Sequence, residues 1–282
     1  MPSAKLRTAL QWTVRLSLLG CLLSGVWAFF IEPSRLVVNR QELSLPHWPG
    51  PLAGLRVALL SDLHVGSPHW GIERLRKLVV QTNAERPDLV LLAGDFMITG
   101  IPFGTDTSPE LIADALTELR APLGVVAVLG NHDAWIAGDA VSRAFHARGL
   151  NVLENELYSL ERAGARLTIV GLADLLTRPQ RVRETIDSVP AGDAVLVLVH
   201  EPDVFPEIGA RPALTLAGHT HGGQVDLPLL GRVWVPSEFG QRYVAGHVVE
   251  NGRHLFVTTG VGTSIIPVRF RVPPELVILT LR

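Results

Sequence analysis

Five apolar runs, rich in β-branched residues, each end abruptly in aspartate, asparagine or histidine, and this pattern constrains the fold most strongly. Uninterrupted apolar runs of this length are typical of strands buried on both faces of a sheet. In open α/β sheets, ligands bind outside the carboxyl ends of such strands. The polar residues that follow the five runs are Asp62 and His64, Asp95, the tripeptide Asn131-His132-Asp133, His200, and His219 with His221. We therefore expect these side chains to meet at one edge and to form a metal site, with two metals favoured over one.

Composition limits the other chemistry open to the chain. With 282 residues, 47% of them hydrophobic, the chain can bury a full core. Its formal net charge of −2 provides no basic field, so we expect no nucleic-acid partner. Cys21 is the one cysteine, which excludes an intrachain disulfide and a cysteine-based zinc cluster. Any metal is therefore expected to have nitrogen and oxygen ligands.

The amino terminus reads as a membrane anchor. Lys5, Arg7 and Arg15 precede the uncharged, largely apolar stretch 16–31. Sixteen helical residues reach only ~24 Å, but extending the helix back to Ala9, with Arg15 reaching to the headgroups, makes the length sufficient. The positive-inside rule then leaves the amino terminus in the cytoplasm and the rest of the chain on the outer, periplasmic or extracellular, side.

A cleaved signal peptide is the alternative to this single-pass anchor. Residues 26–28, Val-Trp-Ala, form a passable cleavage site. Apolarity that continues through Ile31 favours the anchor, and both interpretations export the domain. We divide the chain into a cytoplasmic tip and anchor at 1–31, a linker at 32–51 with one short strand at 35–38, and a domain at 52–282.

Helical periodicity follows three of the apolar runs, at 72–79, 111–119 and 141–148. The chain from 54 to 150 therefore reads as alternating strands and helices, the start of a doubly wound parallel sheet. Later residues are strand-rich, which suggests two sheets packed face to face with helices outside. The later elements beyond the motif strands are predicted strands at 157–160, 167–170, 232–235, 243–249, 254–258 and 276–281, and a helix at 179–188.

Two of the motifs pair their polar residues at a spacing that suits metal binding. Asp62 and His64 are two residues apart, as are His219 and His221, and in extended backbone that spacing directs both side chains to one face. A mixture of carboxylate and imidazole suits Mn, Zn or Fe better than Ca or Mg. Each pair alone is a weak signal.

Together and in this order, the blocks D-x-H, G-D, G-N-H-D, a single H and G-H-x-H resemble the calcineurin-like metallophosphoesterase superfamily, over roughly residues 55–281. The resemblance implies an α/β fold, a four-layer α/β/β/α sandwich of two mixed β-sheets flanked by helices. It also implies two divalent metals per chain, with Mn the first expectation and Zn or Fe the alternatives. By that match the first metal is held by Asp62, His64, Asp95 and His221, and Asp95 bridges to a second held also by Asn131, His200 and His219.

The resemblance further implies hydrolysis of a phosphodiester or pyrophosphate bond. Two cations about 3.5–4 Å apart acidify a bridging water for in-line attack and neutralise the phosphate oxygens. We assign His132 to stabilising the transition state and protonating the leaving oxygen, and Asp133 to orienting His132.

Three segments narrow the resemblance to a membrane-anchored bacterial branch, which is related to the UDP-2,3-diacylglucosamine hydrolases of lipid A synthesis. A lipid-linked or nucleotide-sugar-lipid substrate is the corresponding expectation. The alternatives are a non-catalytic scaffold, which should have lost ligands, and a nuclease, which should carry a basic stripe. The segments are 218–224 (GHTHGGQ), 262–264 (GTS) and 269–275 (RFRVPPE).

Two further features are open to two interpretations each. The apolar loop 96–103 either forms a lid or acyl-chain contact, or packs against the following helix. Arg269 and Arg271 either meet a phosphate or lie at a solvated strand edge. The sequence leaves the oligomeric state open.

Overall fold

The structure, a computed structural model, describes residues 4–282. Two six-stranded sheets, a short hairpin and six α-helices are found in this part of the chain. In chain order the elements are α1 Ala4–Val26, β1 Val37–Leu43, β2 Leu55–Leu60, α2 Ile72–Ala84, β3 Leu89–Ala93, α3 Pro109–Leu116, β4 Val125–Val128, α4 Asn131–Ala137, α5 Ala140–His146, β5 Asn151–Val152, β6 Glu156–Arg162, β7 Ala165–Gly171, α6 Val182–Asp187, β8 Ala194–Leu198, β9 Leu214–Ala217, β10 Asp226–Leu227, β11 Gly231–Arg232, β12 Gly246–Glu250, β13 Arg253–Val257 and β14 Glu275–Leu281.

Both sheets are mixed. The first has the strand order β1-β14-β2-β3-β4-β5, in which only β14 and β2 pair antiparallel. The second has the order β12-β13-β9-β8-β7-β6, with a parallel centre from β13 to β7 and an antiparallel strand at each edge. The motif strands β2, β3 and β4 are neighbours in the first sheet, and β8 and β9 are neighbours in the second.

Alternating side chains of the motif strands build separate cores. Val57 and Leu59 lie in the core between the two sheets, whereas Ala58 and Leu60 belong to the core that the first sheet forms with its helices. A third core packs α6 against the outer face of the second sheet. The strands therefore read as continuous apolar runs because both faces are covered. The predicted four-layer sandwich of two mixed sheets is confirmed.

The amino-terminal helix leads directly into the domain. Arg7–Ser34 is long and apolar enough to cross a membrane, and it combines α1 with a π-helical turn at Trp27–Ile31 and a 3₁₀ turn at Glu32–Ser34. The expected apolar candidate span is present.

The segment 32–51, predicted to be a linker, contains a full strand of the first sheet in the structure. The strand predicted at 35–38 is the longer β1, Val37–Leu43, which pairs in parallel with β14 along its whole length. The residues Asn39 to Glu42 in its centre are polar, unlike the apolar runs of the central strands. Polar residues are expected here because β1 lies at the edge of the sheet. The first sheet therefore begins before residue 52.

Two predicted strands are shorter than expected. The strand predicted at 232–235 is confined to Gly231–Arg232, because Val233 and Trp234 are exposed and leave the hairpin. The strand predicted at 243–249 begins only at Gly246, since Tyr243 is buried against the helical side of the second sheet.

Candidate metal centre

The carboxyl ends of β2, β3, β4, β8 and β9 bring all seven predicted ligands to one place. The loop after β2 is paired with the loop after β3, since Asp62 N–H donates to Gly94 O at 3.0 Å and His64 N–H donates to Asp95 O at 3.0 Å. The second sheet is joined to them through His219 N–H, which donates to Asp62 Oδ2 at 3.0 Å. The site therefore lies where the edges of the two sheets meet.

One group of donor atoms surrounds the end of β2. His64 Nε2 lies 3.0 Å from His221 Nε2, and His221 Nε2 lies 3.3 Å from Asp62 Oδ1. Asp62 Oδ1 is buried without a hydrogen-bond partner. Two imidazole nitrogens and an unpartnered carboxylate oxygen facing one another are the donor set that a divalent first-row metal takes.

A second group surrounds the end of β8. His200 Nε2 lies 3.2 Å from Asn131 Oδ1 and 3.3 Å from His219 Nδ1. His200 Nδ1 lies 2.6 Å from Ala93 O, so a proton on Nδ1 leaves the Nε2 lone pair directed into the group.

Asp95 lies between the two groups. Its Oδ2 is 3.4 Å from His64 Nε2 on one side and 3.3 Å from His200 Nε2 on the other. One carboxylate oxygen therefore adjoins a member of each group, which is the arrangement expected of a bridging ligand.

The electrostatics differ among the donor residues. Burial opposes a charge on His200, but the adjacent Asp95 raises the pKa of His200 well above its usual range. Burial lowers the pKa of His64 to about 3, and burial together with His200 lowers that of His219 to about 4. Burial also opposes the charge of Asp95, but the nearby His200 and His64 imidazoles hold its pKa well below the usual range. At neutral pH the site thus pairs an ionised Asp95 with a protonated His200, beside the neutral imidazoles of His64 and His219, and a bound metal would replace the His200 proton.

Backbone strain is concentrated at the same residues. Five of the seven predicted ligands have the positive φ values that L-residues with a Cβ disfavour by roughly 1–2 kcal/mol each. Strain of this kind persists only where surrounding contacts fix it, and it clusters at functional sites. The five are Asp62 (φ 53°), His64 (φ 41°), Asp95 (φ 58°), His219 (φ 68°) and His221 (φ 50°).

Two glycines allow the loops to approach so closely. A Cβ on Gly130 would lie 2.3 Å from Asp95 Oδ1, and a Cβ on Gly218 would lie 1.9 Å from Ser61 Oγ and 2.7 Å from Asp62 Oδ2. Both positions therefore exclude a side chain, as expected for a glycine placed just before a site residue.

His132 lies beside the two groups and lines the open side of the site. Its backbone N–H donates to Asp95 Oδ1 at 2.9 Å, and its ring centroid is 4.8 Å from that of His64. The ring also contacts Trp135, which is mostly exposed, at 5.4 Å between centroids. His132 is therefore half-buried, with its ring in contact with both His64 and Trp135.

The partners of Asp133 differ from the prediction that it orients His132. Its carboxylate is fully buried and accepts backbone N–H groups from Phe96 at 2.8 Å, Asp95 at 2.9 Å and Gly130 at 3.0 Å. Burial, followed by repulsion from Asp95, raises the pKa of Asp133 to about 7. Asp133 holds the loops after β3 and β4 together, because it is directed into the backbone and away from the opening.

Arg269 is a structural residue that both sequence interpretations missed. It is fully buried, and its guanidinium donates to Gly262 O at 2.6 Å, Thr259 O at 2.9 Å and Val272 O at 3.1 Å. Its Nη2 is 3.5 Å from His221 Nδ1. In the sequence, arginine alternates with apolar residues over 269–272, which is the pattern of a strand edge. Nothing in this segment indicated that backbone carbonyls of the loop would surround the guanidinium. Arg271 is exposed, as the solvated interpretation expected.

A buried carboxyl pair behind the second group was also missed. Glu201 follows His200 directly, and its Oε2 accepts from Leu175 N–H at 3.0 Å. Burial raises the pKa of Glu201 well above the usual range, and the neighbouring Asp174 carboxyl adds to that shift. The carboxylate directly after a predicted ligand histidine was the available sequence signal.

The site opens into a pocket of about 810 Å³. Asp95, Asn131, His132, His219 and His221 form its polar floor. The walls include apolar side chains from four separate segments, namely Trp135, Leu175, Leu176, Trp234, Phe239 and Ile265. In the loop 96–103, Phe96, Met97 and Ile98 are buried in packing, whereas Phe103 is 91% exposed.

Fold and site together define a metal-dependent phosphoric ester hydrolase. The model of the calcineurin-like phosphoesterase family matches residues 55–223, and the chain belongs to that family. A Bacillus subtilis metallophosphoesterase, YkuE, is 29% identical over 91% of this chain and 89% of its own length. The phosphodiesterase YaeI of Escherichia coli is 30% identical over 89% of this chain and 90% of its own. The UDP-2,3-diacylglucosamine pyrophosphatase LpxG of Chlamydia trachomatis is 28% identical over 73% of this chain and 75% of its own.

Proposed function

We propose that the chain is a binuclear metallohydrolase that cleaves a phosphodiester or pyrophosphate bond in a lipid-linked substrate at the outer face of a membrane. The observation that carries the proposal is the position of Asp95 Oδ2, within 3.4 Å of His64 Nε2 and 3.3 Å of His200 Nε2. Seven donors are too few for two separate four-coordinate sites, so sharing one carboxylate supports two metals.

We assign the ligands as the sequence motifs suggest. Two bound divalent cations, with Mn the first candidate and Zn or Fe the alternatives, would supply an acidified water and charge neutralisation at the phosphate. The chain supplies the remaining functions. His132, half-buried at the pocket floor, is positioned to donate a proton to the leaving oxygen. The ligands are Asp62, His64, Asp95 and His221 for one metal, and Asp95, Asn131, His200 and His219 for the other.

The apolar walls support a substrate with a hydrocarbon part. Trp135, Leu176 and Trp234 line the pocket although each is more than half exposed. Pockets lined this way bind apolar groups and leave orientation to a few polar atoms. The named activity of LpxG, a UDP-2,3-diacylglucosamine pyrophosphatase, agrees with this class of substrate, and that of YaeI, a phosphodiesterase, agrees with the class of bond.

The basic residues at the amino terminus indicate the orientation of the chain in a membrane. We propose that residues 1–31 form the cytoplasmic tip and a single membrane-crossing anchor, and that the catalytic domain lies on the periplasmic or extracellular side. A reporter fused after Arg282 tests this assignment, and a cytoplasmic signal contradicts it.

The experiment uses the full chain in detergent, with Mn, Zn or Fe(II) added after chelation. We expect two metals per chain by elemental analysis and hydrolysis of bis-p-nitrophenyl phosphate. In Asp95→Asn both quantities should fall, while His146→Ala, a change at the exposed end of α5, should alter neither. Two bound metals without turnover of any diester or pyrophosphate would favour the non-catalytic scaffold.

A further inference from the structure

Six apolar side chains beside the pocket mouth are exposed without a protein partner to cover them in the described part of the chain. They lie in two neighbouring segments, the tip and end of the β10–β11 hairpin and the loop 263–268. Each is more than half exposed, which is unusual for a cluster of large apolar residues. We call them the apolar lip: Leu229, Leu230, Val233, Trp234, Ile265 and Ile266.

Hydrogen bonds join the two segments of the apolar lip into one unit. Asp226 N–H donates to Phe270 O at 2.9 Å, and Phe270 N–H donates to Gln224 O at 2.9 Å. The Gln224 side chain accepts from Ser264 N–H at 2.8 Å and donates to Ser264 O at 3.3 Å. The apolar lip is therefore held in one place on the domain.

The same loop is bonded to the amino-terminal helix. Arg269 N–H donates to Ala28 O at 2.9 Å, and Ala28 is buried. Phe29, Phe30 and Ile31, all apolar and exposed, follow Ala28 on the domain side. The apolar part of the helix continues for three residues beyond Ala28. At a rise of about 1.5 Å per residue, Arg269 therefore contacts the helix roughly 4 Å before that apolar part ends.

We propose that the apolar lip inserts into the membrane beside the anchor, so that the catalytic pocket opens at the bilayer surface. The occupant of this surface is lipid, because the loop that carries Ile265 and Ile266 meets the helix at the level of its apolar residues. Trp234 and Ile265 belong both to the lip and to the pocket wall, so the pocket opens next to the acyl region. The inference rests on the proposed membrane anchor and does not depend on hydrolysis.

The lone cysteine makes a direct test possible. A fluorophore on Cys21 of the native chain reports insertion of the anchor, because Cys21 is exposed near the middle of the candidate span Arg7–Ser34. In a Cys21→Ser chain, Leu229→Cys and, separately, Ile266→Cys report the apolar lip. The control is Val249→Cys, an equally apolar residue, 54% exposed, at the end of the second sheet farthest from the site. Each labelled full chain is reconstituted in phosphatidylcholine and phosphatidylglycerol vesicles that contain lipids with nitroxide on the acyl chain.

We expect quenching of the labels at 229 and 266, with the label at 249 unquenched. Quenching at 229 and 266 no greater than at 249 would overturn the proposal, even if Cys21 is quenched. An unquenched Cys21 label would refute the anchor itself, and with it the lip.

A second measurement tests the energetic role of the apolar lip. The double variant Leu229→Glu/Leu230→Glu should hydrolyse soluble bis-p-nitrophenyl phosphate at the native rate, since neither residue lines the pocket. We expect its turnover of a diester held in vesicles to fall about tenfold, because two carboxylates are disfavoured in the apolar layer. Equal rates on the vesicle substrate would overturn the proposal. Loss of both activities in the native chain would instead contradict the proposed function.

Discussion

Replacing Arg269 by methionine should destabilise the domain strongly. The guanidinium donates to the carbonyl oxygens of Gly262, Thr259, Val272 and, at 3.2 Å, Gly260. Hydrogen bonds to a charged group contribute about 1.5–3 kcal/mol each, but removing the guanidinium also removes the cost of burying its charge. That cost is visible in the pKa of Arg269, which burial lowers to about 10. Each buried carbonyl oxygen left without its donor costs about 1–3 kcal/mol, and after the relief from burying the charge we expect a net loss of about 3–5 kcal/mol.

Thermal unfolding of the metal-loaded full chain measures the effect. At roughly 2–4 °C per kcal/mol for a domain of this size, Arg269→Met should lower Tm by about 6–20 °C. Arg271→Met is the matched control, because Arg271 is exposed two residues along the same loop, and it should leave Tm nearly unchanged. Arg269→Lys should recover only part of the loss in Tm. The guanidinium reaches four carbonyls because its donors form a planar fork, and a single ammonium lacks that arrangement. Equal Tm values for Arg269→Met and Arg271→Met would refute the structural role.

Three further predictions concern residues around the proposed metal centre. His132→Ala should retain two metals per chain while the rate of diester hydrolysis falls by about 10²–10⁴, and an unchanged rate would remove its assigned role as proton donor. Asp133→Asn should lower metal content together with rate, because backbone N–H groups of Asp95 and Gly130 lose a carboxylate acceptor; full metal content with a lost rate would restore the role of orienting His132. Gly130→Ala should destabilise the domain by about 1–3 kcal/mol and weaken metal binding, since its Cβ would clash with Asp95. Gly50→Ala, where a Cβ has open space, should do neither, and equal Tm losses in these two variants would contradict the clash.

The motif strands were predictable because their signal is local. An apolar run such as Leu89–Ala93 indicates that both faces of the strand are covered by other elements. The polar residue after the run marks the end of the strand. The rule that ligands bind at carboxyl ends then brings residues from five strands together without knowledge of the loops. The convergence of the seven predicted ligands follows from these two facts.

Features that depend on distant partners were not predictable. The strand β1 has a polar centre, and it is a strand because β14, more than 230 residues later, provides its hydrogen bonds. A fragment beginning at residue 52 would lack this strand and expose the edge of β14, so activity measurements should use the full chain. The positive φ values of Asp62 and His64 could not be predicted either, because loops distant in sequence, among them the paired loop after β3, hold this backbone in place.

Arg269 joins two parts of the molecule that the sequence analysis had treated separately. Its side chain binds the carbonyls of Gly260 and Gly262, and Gly262 N–H in turn donates to the backbone oxygen of Asp62 at 2.6 Å. Its backbone N–H binds Ala28 of the apolar helix. Arg269 by itself therefore connects the apolar helix to the loop that contacts Asp62, a predicted metal ligand. A flexible linker would leave the helix free to turn relative to the domain, whereas this contact and the pairing of β1 with β14 hold the two together, as the proposed anchor requires.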